Sequence, residues 1–364
     1  VTGFGGVLAG ILSETPAVYI FSVDYYLIGL LNFITRKAAE LPLAGFQIPT
    51  LPIYMYILYY VGLALLYAFF NKGFFRIYIT RFLTGYVLLA AIFTMIYSLP
   101  SGELKMVFLD VGQGDGCCVI TPGKRAVLID GGGSVGKGKY YYDVGGKITL
   151  PALLHQGIWS IDTVVVSHMH DDHMEGLLKV IEAYHVKNLI IPRVSSETGD
   201  SSPNAGALLE LCGRKGVRVY RLGKGDHINL GKGVRIDFLH PGKGAKDDEN
   251  QNSLVGILSY GNFRALFTGD IGMETEGILA REAIASSVLK VPHHGSGGSS
   301  SEKFLEEISP KVSIISVGKN NYGHPSPDTM ERLERQGGLT YRTDEAGAVT
   351  VTTDGDKLEV RTVR

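Results

Sequence analysis

The sequence predicts a membrane region followed by a layered α/β domain, and two observations carry this prediction. The first is the uneven distribution of charge. Residues 1–100 contain five Lys/Arg and three Asp/Glu, whereas residues 101–364 contain the remaining 30 and 33. The second is the alternation of short β-branched runs with helical segments after residue 101, which is typical of two sheets covered by helices. We therefore expect a membrane region over residues 1–100 and an α/β domain over residues 101–364.

Two uncharged apolar runs predict transmembrane helices. Residues 51–70 and 82–99 contain no charged side chain, and each run is about long enough to cross ~30 Å of hydrocarbon. Both runs are rich in tyrosine, which is typical of helices anchored at the membrane interface. Residues 17–41 contain four charged side chains between Pro16 and Pro42. They form either a third span or, as the pattern favours, an amphipathic helix in the interface.

The loop between the two clear spans predicts the orientation of the chain. It carries Lys72, Arg76 and Arg81, and short loops rich in Lys and Arg stay in the cytoplasm. The second span then leads outward, so we expect residues 102–364 on the extracytoplasmic side. Arg36 and Lys37 would lie on that outer side too, which weakens the prediction.

Composition excludes two classes of protein. The net charge is −1, so nothing indicates a general nucleic-acid-binding protein, and any such affinity must reside in a local patch. The three cysteines, Cys117, Cys118 and Cys212, are odd in number and two are adjacent. They predict neither a disulfide framework nor a thiolate metal site.

The strongest chemical signal is an HxHxDH motif that directly follows the apolar run TVVVS. His168 and His170 alternate in an extended segment, so their side chains share a face. Asp172 and His173 lie at the turn into the next helix and reach a second point nearby. Four such ligands can serve two metal ions about 3.5–4 Å apart. Imidazole and carboxylate groups suit zinc, manganese or iron.

Further candidate ligands lie at the ends of later strands. Asp130 ends the run RAVLID, and Asp270 ends RALFTGD, where its carboxylate can bridge two metals. His293 and His294 end VLKVPHH, and His324 follows VSIISVG.

Together these motifs resemble the metallo-β-lactamase superfamily over about residues 104–360. The resemblance implies a four-layer αββα sandwich. It also implies that Asp270 bridges two divalent metals, zinc or manganese, and that Asp130 supports the ligands. The metal ligands that it implies are His168, His170, Asp172, His173 and Asp270, with His294 favoured as the last ligand.

Two positions depart from the superfamily pattern. The histidine expected between HxHxDH and TGD is either His240 or is replaced within residues 249–253, and the spacing favours the second alternative. The last ligand is also open, because His293, His294 and His324 all follow strands. We expect His294 first and His324 second. Another of these histidines then contacts substrate phosphate or acts as an acid. The catalytic candidates are therefore Asp270, Asp130 and His324.

Three further segments resemble one branch, the ComEC-type competence proteins: FLDVGQGDG, LKVPHHGS and ISVGKNNYGHP. In that family a multi-span membrane channel precedes a lactamase-like domain and imports single-stranded DNA during natural transformation. The resemblance implies a bacterial cell-membrane location, with single-stranded DNA, the membrane and other uptake components as partners. Residues 1–100 would be the end of the channel. Residues 101–364 would be a binuclear nuclease that degrades the strand that is not imported.

Two other functions stay open at this point. A membrane-tethered metallohydrolase of small molecules fits the same motifs, since this fold hosts many reactions. A non-catalytic, metal-stabilised lid that binds DNA also fits, although such a module need not keep two metal positions.

A local basic segment offers DNA contacts. Seven Lys/Arg and one Asp lie between Arg214 and Arg235, and DNA binding needs cations near the phosphates. The substrate-binding candidates are Arg218, Arg221 and Lys224, with a solvated edge hairpin as an equal alternative.

Two other segments have a structural and a functional interpretation. Residues 140–142 are three tyrosines that either stack on bases or, as we favour, are half core and half surface. Asp110, Gln113 and Asp115 in DVGQGD either form a wall of the substrate cleft or, as we favour, serve only the turn.

Overall fold

The structure, a computed structural model, describes residues 2–39, 49–71, 76–98, 101–134, 141–194, 203–244, 246, 248–282 and 284–364. Its contacts divide the chain into two compact units, Val1–Ile48 and Pro49–Arg364. The second unit therefore contains two apolar helices together with the α/β domain. The boundary that the sequence places between residues 100 and 101 stays a prediction, and residues 99–100 lie outside the described residues.

The first part of the chain is helical. Helices α1 (Thr2–Leu12) and α2 (Glu14–Ala39) belong to the first unit, and α3 (Ile53–Asn71) and α4 (Arg76–Ser98) open the second. Within the described residues, three helices are long and apolar enough to cross a membrane: Glu14–Ala38, Ile53–Asn71 and Tyr78–Met95. Most of their side chains are apolar, and few are buried. A lipid environment accounts for such a surface.

The two predicted spans are confirmed as helices that could cross a membrane, and a third candidate joins them. Of the segment predicted over residues 17–41, residues 17–39 belong to one helix, α2, and residues 40–41 lie outside the described residues. The length and composition of this helix fit the alternative of a third span. Its few charges leave the central turns apolar, so length and composition fit a span. Of the basic loop that predicted the orientation, residues 72–75 lie outside the described residues.

The α/β domain contains two mixed sheets. Sheet A has the strand order β15-β14-β1-β2-β3-β4-β5-β6, and sheet B has the order β13-β12-β11-β10-β9-β8-β7. The strands are β1 (Leu104–Phe108), β2 (Gly116–Ile120), β3 (Ala126–Gly131), β4 (Ile161–Val165), β5 (Val186–Pro192), β6 (Arg218–Leu222), β7 (His227–Gly231), β8 (Val234–His240), β9 (Val255–Tyr260), β10 (Phe263–Phe267), β11 (Val288–Lys290), β12 (Val312–Ile315), β13 (Leu339–Arg342), β14 (Val349–Thr353) and β15 (Leu358–Thr362).

Helices cover the outer faces of both sheets. They are α5 (Leu150–His155), α6 (Asp171–Ala183), α7 (Pro203–Lys215), α8 (Met273–Leu279), α9 (Glu302–Ile308), α10 (Pro327–Gln336) and the short α11 (Thr343–Ala346). Three buried apolar clusters separate the layers. One joins sheet A to α5, α6 and α7, one fills the space between the sheets, and one joins sheet B to α8, α9 and α10. The fold is therefore the four-layer αββα sandwich that the resemblance implied.

Side-chain alternation in the strands builds these layers. In β1, Leu104, Met106 and Phe108 belong to the cluster between the sheets, and Val107 belongs to the cluster under the helices. Successive side chains of a strand point to opposite faces, and both faces of β1 are covered. Four of its five residues are therefore apolar and buried, and the half-buried Lys105, whose ammonium donates to Gln156 Oε1 at 2.7 Å, is the exception.

The arrangement of parallel strands determines where a site can form. Strands β3, β4, β5 and β6 are parallel neighbours in sheet A, and β10, β11, β12 and β13 are parallel neighbours in sheet B. Parallel strands end at a common edge, so the loops that follow them come together. The loops after β4, β10 and β11 carry the histidines and carboxylates described next.

Candidate metal centre

The HxHxDH motif spans the turn between β4 and α6. His168 is fully buried, and its Nε2 lies 3.1 Å from Nδ1 of His170. Two nitrogens bound to one zinc at ~2.0–2.1 Å in a tetrahedral site are roughly 3.3 Å apart. The two rings are thus already spaced as a ligand pair. His170 is the residue before α6, so the helix begins immediately after the pair.

A second group of ligand atoms lies beside this pair. Asp172, His173, Asp270 and His294 each offer one ligand atom, and these atoms all lie within 4.8 Å of one another. Asp270 Oδ2 is 3.3 Å from His173 Nε2 and 3.2 Å from His294 Nε2, and Asp172 Oδ2 is 3.4 Å from His294 Nε2. Asp171 and Asp172 lie in the first turn of α6, where the partial positive charge of the helix N-terminus stabilises their carboxylates.

We call Asp172, His173, Asp270 and His294 the tetrad. Each of its two histidines is oriented by a hydrogen-bond partner at Nδ1, the ring nitrogen on the far side from the other ligand atoms. His173 Nδ1 lies 3.1 Å from Asp130 Oδ2, and His294 Nδ1 lies 2.8 Å from the carbonyl oxygen of Ser316. Donation from Nδ1 to these acceptors leaves the Nε2 lone pairs aimed into the tetrad. Asp130 also accepts the backbone N–H of Ser167 at 2.7 Å. Its carboxylate therefore ties the end of β3 to the loop that carries the motif.

The turn after His294 is held in an unusual backbone conformation. His293 and His294 both have positive φ angles, 49° and 52°, and Gly295 follows at 82°. The left-handed conformation costs a residue with a Cβ roughly 1–2 kcal/mol. Strain of this kind concentrates at functional sites. Here the conformation turns His294 inward, while His293 remains near the rim with 31% of its side chain exposed.

Several buried atoms of the tetrad lack the partners that buried polar atoms normally have. Within the described residues, His173 Nε2, His294 Nε2 and Asp270 Oδ1 make no hydrogen bond, although all three are buried. Buried polar groups without a partner are rare in native proteins. The two Nε2 atoms face the other carboxylate oxygen, Asp270 Oδ2, and this imidazole and carboxylate chemistry fits a divalent cation such as zinc or manganese.

The charges of the tetrad favour ionised carboxylates. Burial raises the pKa of Asp270 and Asp172, but His294 and His173 outweigh it, so both carboxyl pKa values fall below the usual range. The same contacts act in reverse on the two rings. Burial lowers their pKa, yet Asp270 and the neighbouring carboxylates hold the pKa of His173 and His294 well above the ordinary value. In the absence of metal, protons therefore occupy the places that a cation would take.

Comparison with known proteins identifies the family. The family model of the metallo-beta-lactamase superfamily matches residues 117–319, more than half of the chain. The chain belongs to the metallo-β-lactamase superfamily. The matched range contains Asp130, the HxHxDH motif, Asp270 and His294.

The curated relatives are ComEC-type competence proteins, as the sequence resemblance indicated. "ComE operon protein 3" of Bacillus subtilis is 29% identical over 94% of this chain and 45% of its own length. "Recombination protein 2" of Haemophilus influenzae is 30% identical over 79% of this chain and 34% of its own. "Competence protein ComA" of Neisseria gonorrhoeae is 29% identical over 69% and 33%. The chain thus spans less than half the length of each of these relatives.

One ligand expected in this metallo-β-lactamase superfamily is not brought to the centre. His240 Nε2 donates to the carbonyl of Gln251 at 2.8 Å, and the Asn252 side chain bonds to the backbone of residue 246. The stretch 249–253 instead supports Asp270, whose backbone N–H donates to Ser253 Oγ at 3.1 Å. Within the described chain, neither sequence candidate for the middle ligand reaches the metal cluster.

His324 occupies the rim of the centre rather than the tetrad. Its ring lies 5.5 Å from that of His293, and His293 Nε2 lies 4.0 Å from Asp270 Oδ2. Burial and the neighbouring His293 lower the pKa of His324, so the ring is neutral near pH 7. Its Nδ1 is buried without a partner among the described residues. His294, the first choice from sequence, lies in the tetrad.

Two residues of the centre were misjudged or missed from sequence. Asp115, which we favoured as a turn residue, is 5% exposed and lies 3.6 Å from His173 Nδ1 and 3.5 Å from His294 Nδ1. Lys290 was not a candidate, yet it is buried and pairs with Asp115. A charged residue inside the apolar strand VLKV was the available signal. Asp110 pairs with Arg364, and Gln113 accepts a hydrogen bond from the backbone N–H of Gly318. These contacts agree with the favoured interpretation that both residues serve only the turn.

The structure does not bring the three predicted DNA-binding cations together. Arg218 and Arg221 lie on β6 at positions of odd spacing, so they point to opposite faces of sheet A. Lys224 pairs with Glu282 at 2.6 Å. The alternative of a solvated edge hairpin is confirmed in part: β7 and β8 pair antiparallel as a hairpin at the edge of sheet B, whereas β6 is the edge strand of sheet A. Arg218 alone of the three lines a groove of about 450 Å³.

The tyrosine run is partly engaged in internal contacts. The Tyr141 hydroxyl donates to Glu175 at 2.6 Å, and the Lys147 ammonium lies 4.6 Å from the centre of the Tyr142 ring. Both side chains are about half exposed. Tyr140 lies outside the described residues.

Proposed function

We propose that this protein is a metal-dependent phosphodiesterase that cleaves DNA beside a membrane channel for single-stranded DNA. The observation that carries the proposal is the tetrad of Asp172, His173, Asp270 and His294, whose ligand atoms lie within 4.8 Å of one another. Among the described residues, the Nε2 atoms of its two histidines are buried without a hydrogen bond. The family supplies the fold on which hydrolysis occurs, and the ComEC-type relatives supply the context of DNA uptake.

The ligand set provides for one or two divalent ions. The tetrad would hold one ion and the His168–His170 pair a second, and the family resemblance implies that Asp270 bridges the two. Bound divalent ions lower the pKa of water and neutralise charge that develops on a phosphodiester. Asp130 and the Ser316 carbonyl fix the tautomers of His173 and His294, so that their Nε2 atoms are available as ligands.

The rim histidines are suited to contact the substrate. His324 is partly open to solvent, neutral near pH 7, and has an unsatisfied Nδ1. We assign it to the phosphate or to the leaving group of the bound strand. His293 stands between His324 and Asp270 and can share this contact.

The partners follow from the same proposal. Residues 1–100 form the end of a channel domain, and residues 101–364 form a nuclease on the extracytoplasmic side of a bacterial membrane. Its substrate is the DNA strand that is not imported, and other components of the uptake machinery lie nearby. The apolar helices and the names of the competence relatives support the membrane location and the context of DNA uptake, and the extracytoplasmic side rests on the basic loop alone.

Substitution of the tetrad carboxylates tests the proposal. Asp172→Asn removes a ligand charge from one position, and Asp270→Asn removes it from the residue that faces both. We expect Asp172→Asn to weaken binding at one position and Asp270→Asn to lower total metal content. Cleavage of single-stranded DNA should fall roughly 10³-fold or more in both, the scale of a lost essential group. Metal content, melting temperature and cleavage are measured on the same preparations.

Asp171→Asn is the matched control. Asp171 neighbours Asp172 in the first turn of α6, but its carboxylate accepts a hydrogen bond from Asn204 and lies outside the tetrad. Wild-type cleavage and full metal content in both tetrad variants would refute the assignment. Loss of folding in the two variants would indicate structural metals and favour the DNA-binding lid. Hydrolysis of a chromogenic β-lactam without DNA cleavage would favour the small-molecule hydrolase.

A further inference from the structure

Helices α3 and α4 pack against each other as an antiparallel pair. The rings of Tyr54, near the start of α3, and Phe93, near the end of α4, stack with their centroids 5.1 Å apart. Gly62 lets the helices approach closely, because a Cβ at this position would lie only 2.8 Å from the Tyr86 hydroxyl. The start of α3 and the end of α4 therefore lie together, and they leave a membrane on the same side if the pair spans it.

Both of these ends are attached to the sandwich. The backbone N–H of Thr50, just before α3, donates to the carbonyl of Leu154 in α5 at 2.8 Å. The backbone N–H of Ser101, just after α4, donates to the carbonyl of Pro122 between β2 and β3 at 3.1 Å. Two short connections of this kind determine which side of the sandwich is nearest to the ends of the helices.

An exposed tryptophan lies on that side of the sandwich. Trp159, in the loop between α5 and β4, is 59% exposed. With Ser101 and Glu103 it lines a pocket of about 400 Å³, whose other charged residues are Lys105 and Lys124. We call the surface formed by these five residues the Trp159 face. It joins the residues that directly follow α4 to an exposed indole.

The chemistry of the Trp159 face matches that of a lipid headgroup region. Tryptophan is enriched where a membrane meets water, because the apolar body of the indole prefers lipid while its N–H keeps a polar partner. Lysines suit the same zone, since their stems lie on apolar surface and their ammonium groups reach phosphates. The two lysines outnumber the one glutamate in this pocket.

We propose that the Trp159 face rests on the headgroups of the same bilayer that α3 and α4 cross, with the Trp159 indole inserted among the lipids. The sandwich is then held against the membrane by a second contact in addition to its covalent connection. The inference goes beyond the proposed function: it rests on α3 and α4 crossing a membrane, and on neither the catalysis nor the DNA substrate.

This contact would also set the direction of the metal centre. Strands β3 and β4 begin beside the Trp159 face, since Ala126 lines the pocket and Ile161 follows Trp159 closely. Asp130 lies near the end of β3, and His168 follows the end of β4. At ~3.3 Å per residue, these strands place the metal centre roughly 15–20 Å from the face. The centre therefore opens away from the lipid.

The fluorescence of the unaltered chain tests the proposal. Trp159 is the only tryptophan in the sequence, so its emission reports on this face without background. The chain is placed in lipid nanodiscs, in which both membrane surfaces are open to buffer. Lipids brominated close to the headgroup should quench Trp159 at least about twofold more than lipids brominated at the chain ends. Iodide in the buffer should quench it much less than it quenches the urea-unfolded chain.

A variant with its tryptophan at the opposite end of the sandwich is the matched control. Tyr322 is 64% exposed, and its ring lies 5.8 Å from that of His324 at the rim of the metal centre. In Trp159→Phe/Tyr322→Trp, iodide should quench the emission and brominated lipids should not. The comparison separates a contact of one face from general proximity to the bilayer.

Three outcomes would overturn the proposal. Quenching of Trp159 by iodide but not by brominated lipids would show that the face lies in water. Quenching by neither would show that protein covers the face. Equal quenching of the wild type and the control variant by brominated lipids would show that the sandwich has no preferred face.

The proposed function fails by different results. A chain that shows the lipid contact but neither binds divalent metal nor cleaves DNA would overturn the proposed function and leave this inference intact. A chain that does not enter nanodiscs would overturn the membrane location and this inference with it.

Discussion

At the scale of single residues, the centre depends on carboxylates that act on histidines from two sides. Asp172 and Asp270 face the Nε2 atoms of His173 and His294, while Asp130 and Asp115 lie near their Nδ1 atoms. A carboxylate behind an imidazole fixes its tautomer and raises its basicity as a ligand. The four carboxylates together make the centre suited to bind cations. Removal of one carboxylate therefore affects several neighbouring groups.

The pH dependence of stability should report this arrangement. In metal-free protein the pKa of His173 and His294 is raised by the tetrad carboxylates, mainly Asp270, against the effect of burial. Their contribution to stability is complete below the unfolded value of about 6.5 and is lost as pH rises through the folded values. We expect the metal-free melting temperature to fall as pH rises above about 6.5.

Bound metal should remove this dependence, because a ligand imidazole must be unprotonated and binding therefore releases protons. Apparent metal affinity should rise over the same pH range. The measurement is thermal melting with chelator and with saturating Mn²⁺ from pH 6 to pH 9. Parallel curves in the two conditions would contradict the assignment of His173 and His294 as ligands.

At the scale of elements, we propose the groove beside β6 as the place where DNA contacts the domain. Arg218, Tyr220 and Leu222 line the groove next to β7, with Arg125 and His227 on its other walls. Strand register places Arg218 beside Asn188 and Thr163, near the starts of the parallel strands. The metal centre lies beyond their ends, about 15–20 Å away at ~3.3 Å per residue. On this proposal, a strand that contacts both the groove and the metal centre is several nucleotides long.

The two arginines of β6 form a matched pair for testing this contact. Arg218→Glu should weaken binding of a single-stranded 20-mer about tenfold at low salt and reduce the slope of log affinity against log salt by about 0.7. Arg221→Glu changes the same charge on the opposite face and should have a much smaller effect. Fluorescence anisotropy with metal-free protein separates binding from cleavage.

A shorter substrate provides the control for this test. Hydrolysis of a dinucleotide cannot use the groove, so Arg218→Glu should leave its rate unchanged. Equal losses of 20-mer binding in Arg218→Glu and Arg221→Glu would show that only net charge matters, and the groove would then have no special role.

At the scale of the whole molecule, the chain combines candidate membrane helices with a hydrolase domain. Side chains of the three candidate spans are almost entirely exposed, whereas the sandwich has three buried clusters. The first part requires lipid or protein neighbours, and the second satisfies its own apolar surface. From the basic loop in the sequence and the positive-inside rule, we predict that the sandwich lies on the extracytoplasmic side.

Thiol labelling in intact cells tests that orientation. The three cysteines of the sequence are buried. A thiol label should therefore react with a cysteine introduced at the exposed Lys357 and not with these three. With the sandwich on the extracytoplasmic side, a membrane-impermeant maleimide should label Lys357→Cys before lysis. The parent chain, without the new cysteine, is the control. Labelling that occurs only after lysis would place the domain in the cytoplasm.

Much of the fold and the ligand set was determined by sequence because the signals are local. Two uncharged runs and a mostly apolar α2 reveal helices by length alone. His168, His170, Asp172 and His173 lie within six residues, so one strand-to-helix turn brings them together. Asp130 and Asp270 end apolar strands, and the ends of parallel strands share an edge. Strands β7 and β13 lacked a strong apolar alternation and were not predicted.

Only the tertiary structure decided the contacts between distant segments. Lys290 meets Asp115 across 175 positions of sequence because β11 of sheet B and the turn before β2 of sheet A end at the same edge. Among three histidines that follow strands, the left-handed turn aims His294 into the tetrad and leaves His324 at the rim. Arg218 and Arg221 look like one basic cluster in sequence, yet alternation along an edge strand separates them. Composition records which groups are present, whereas strand order and side-chain direction determine which of them meet.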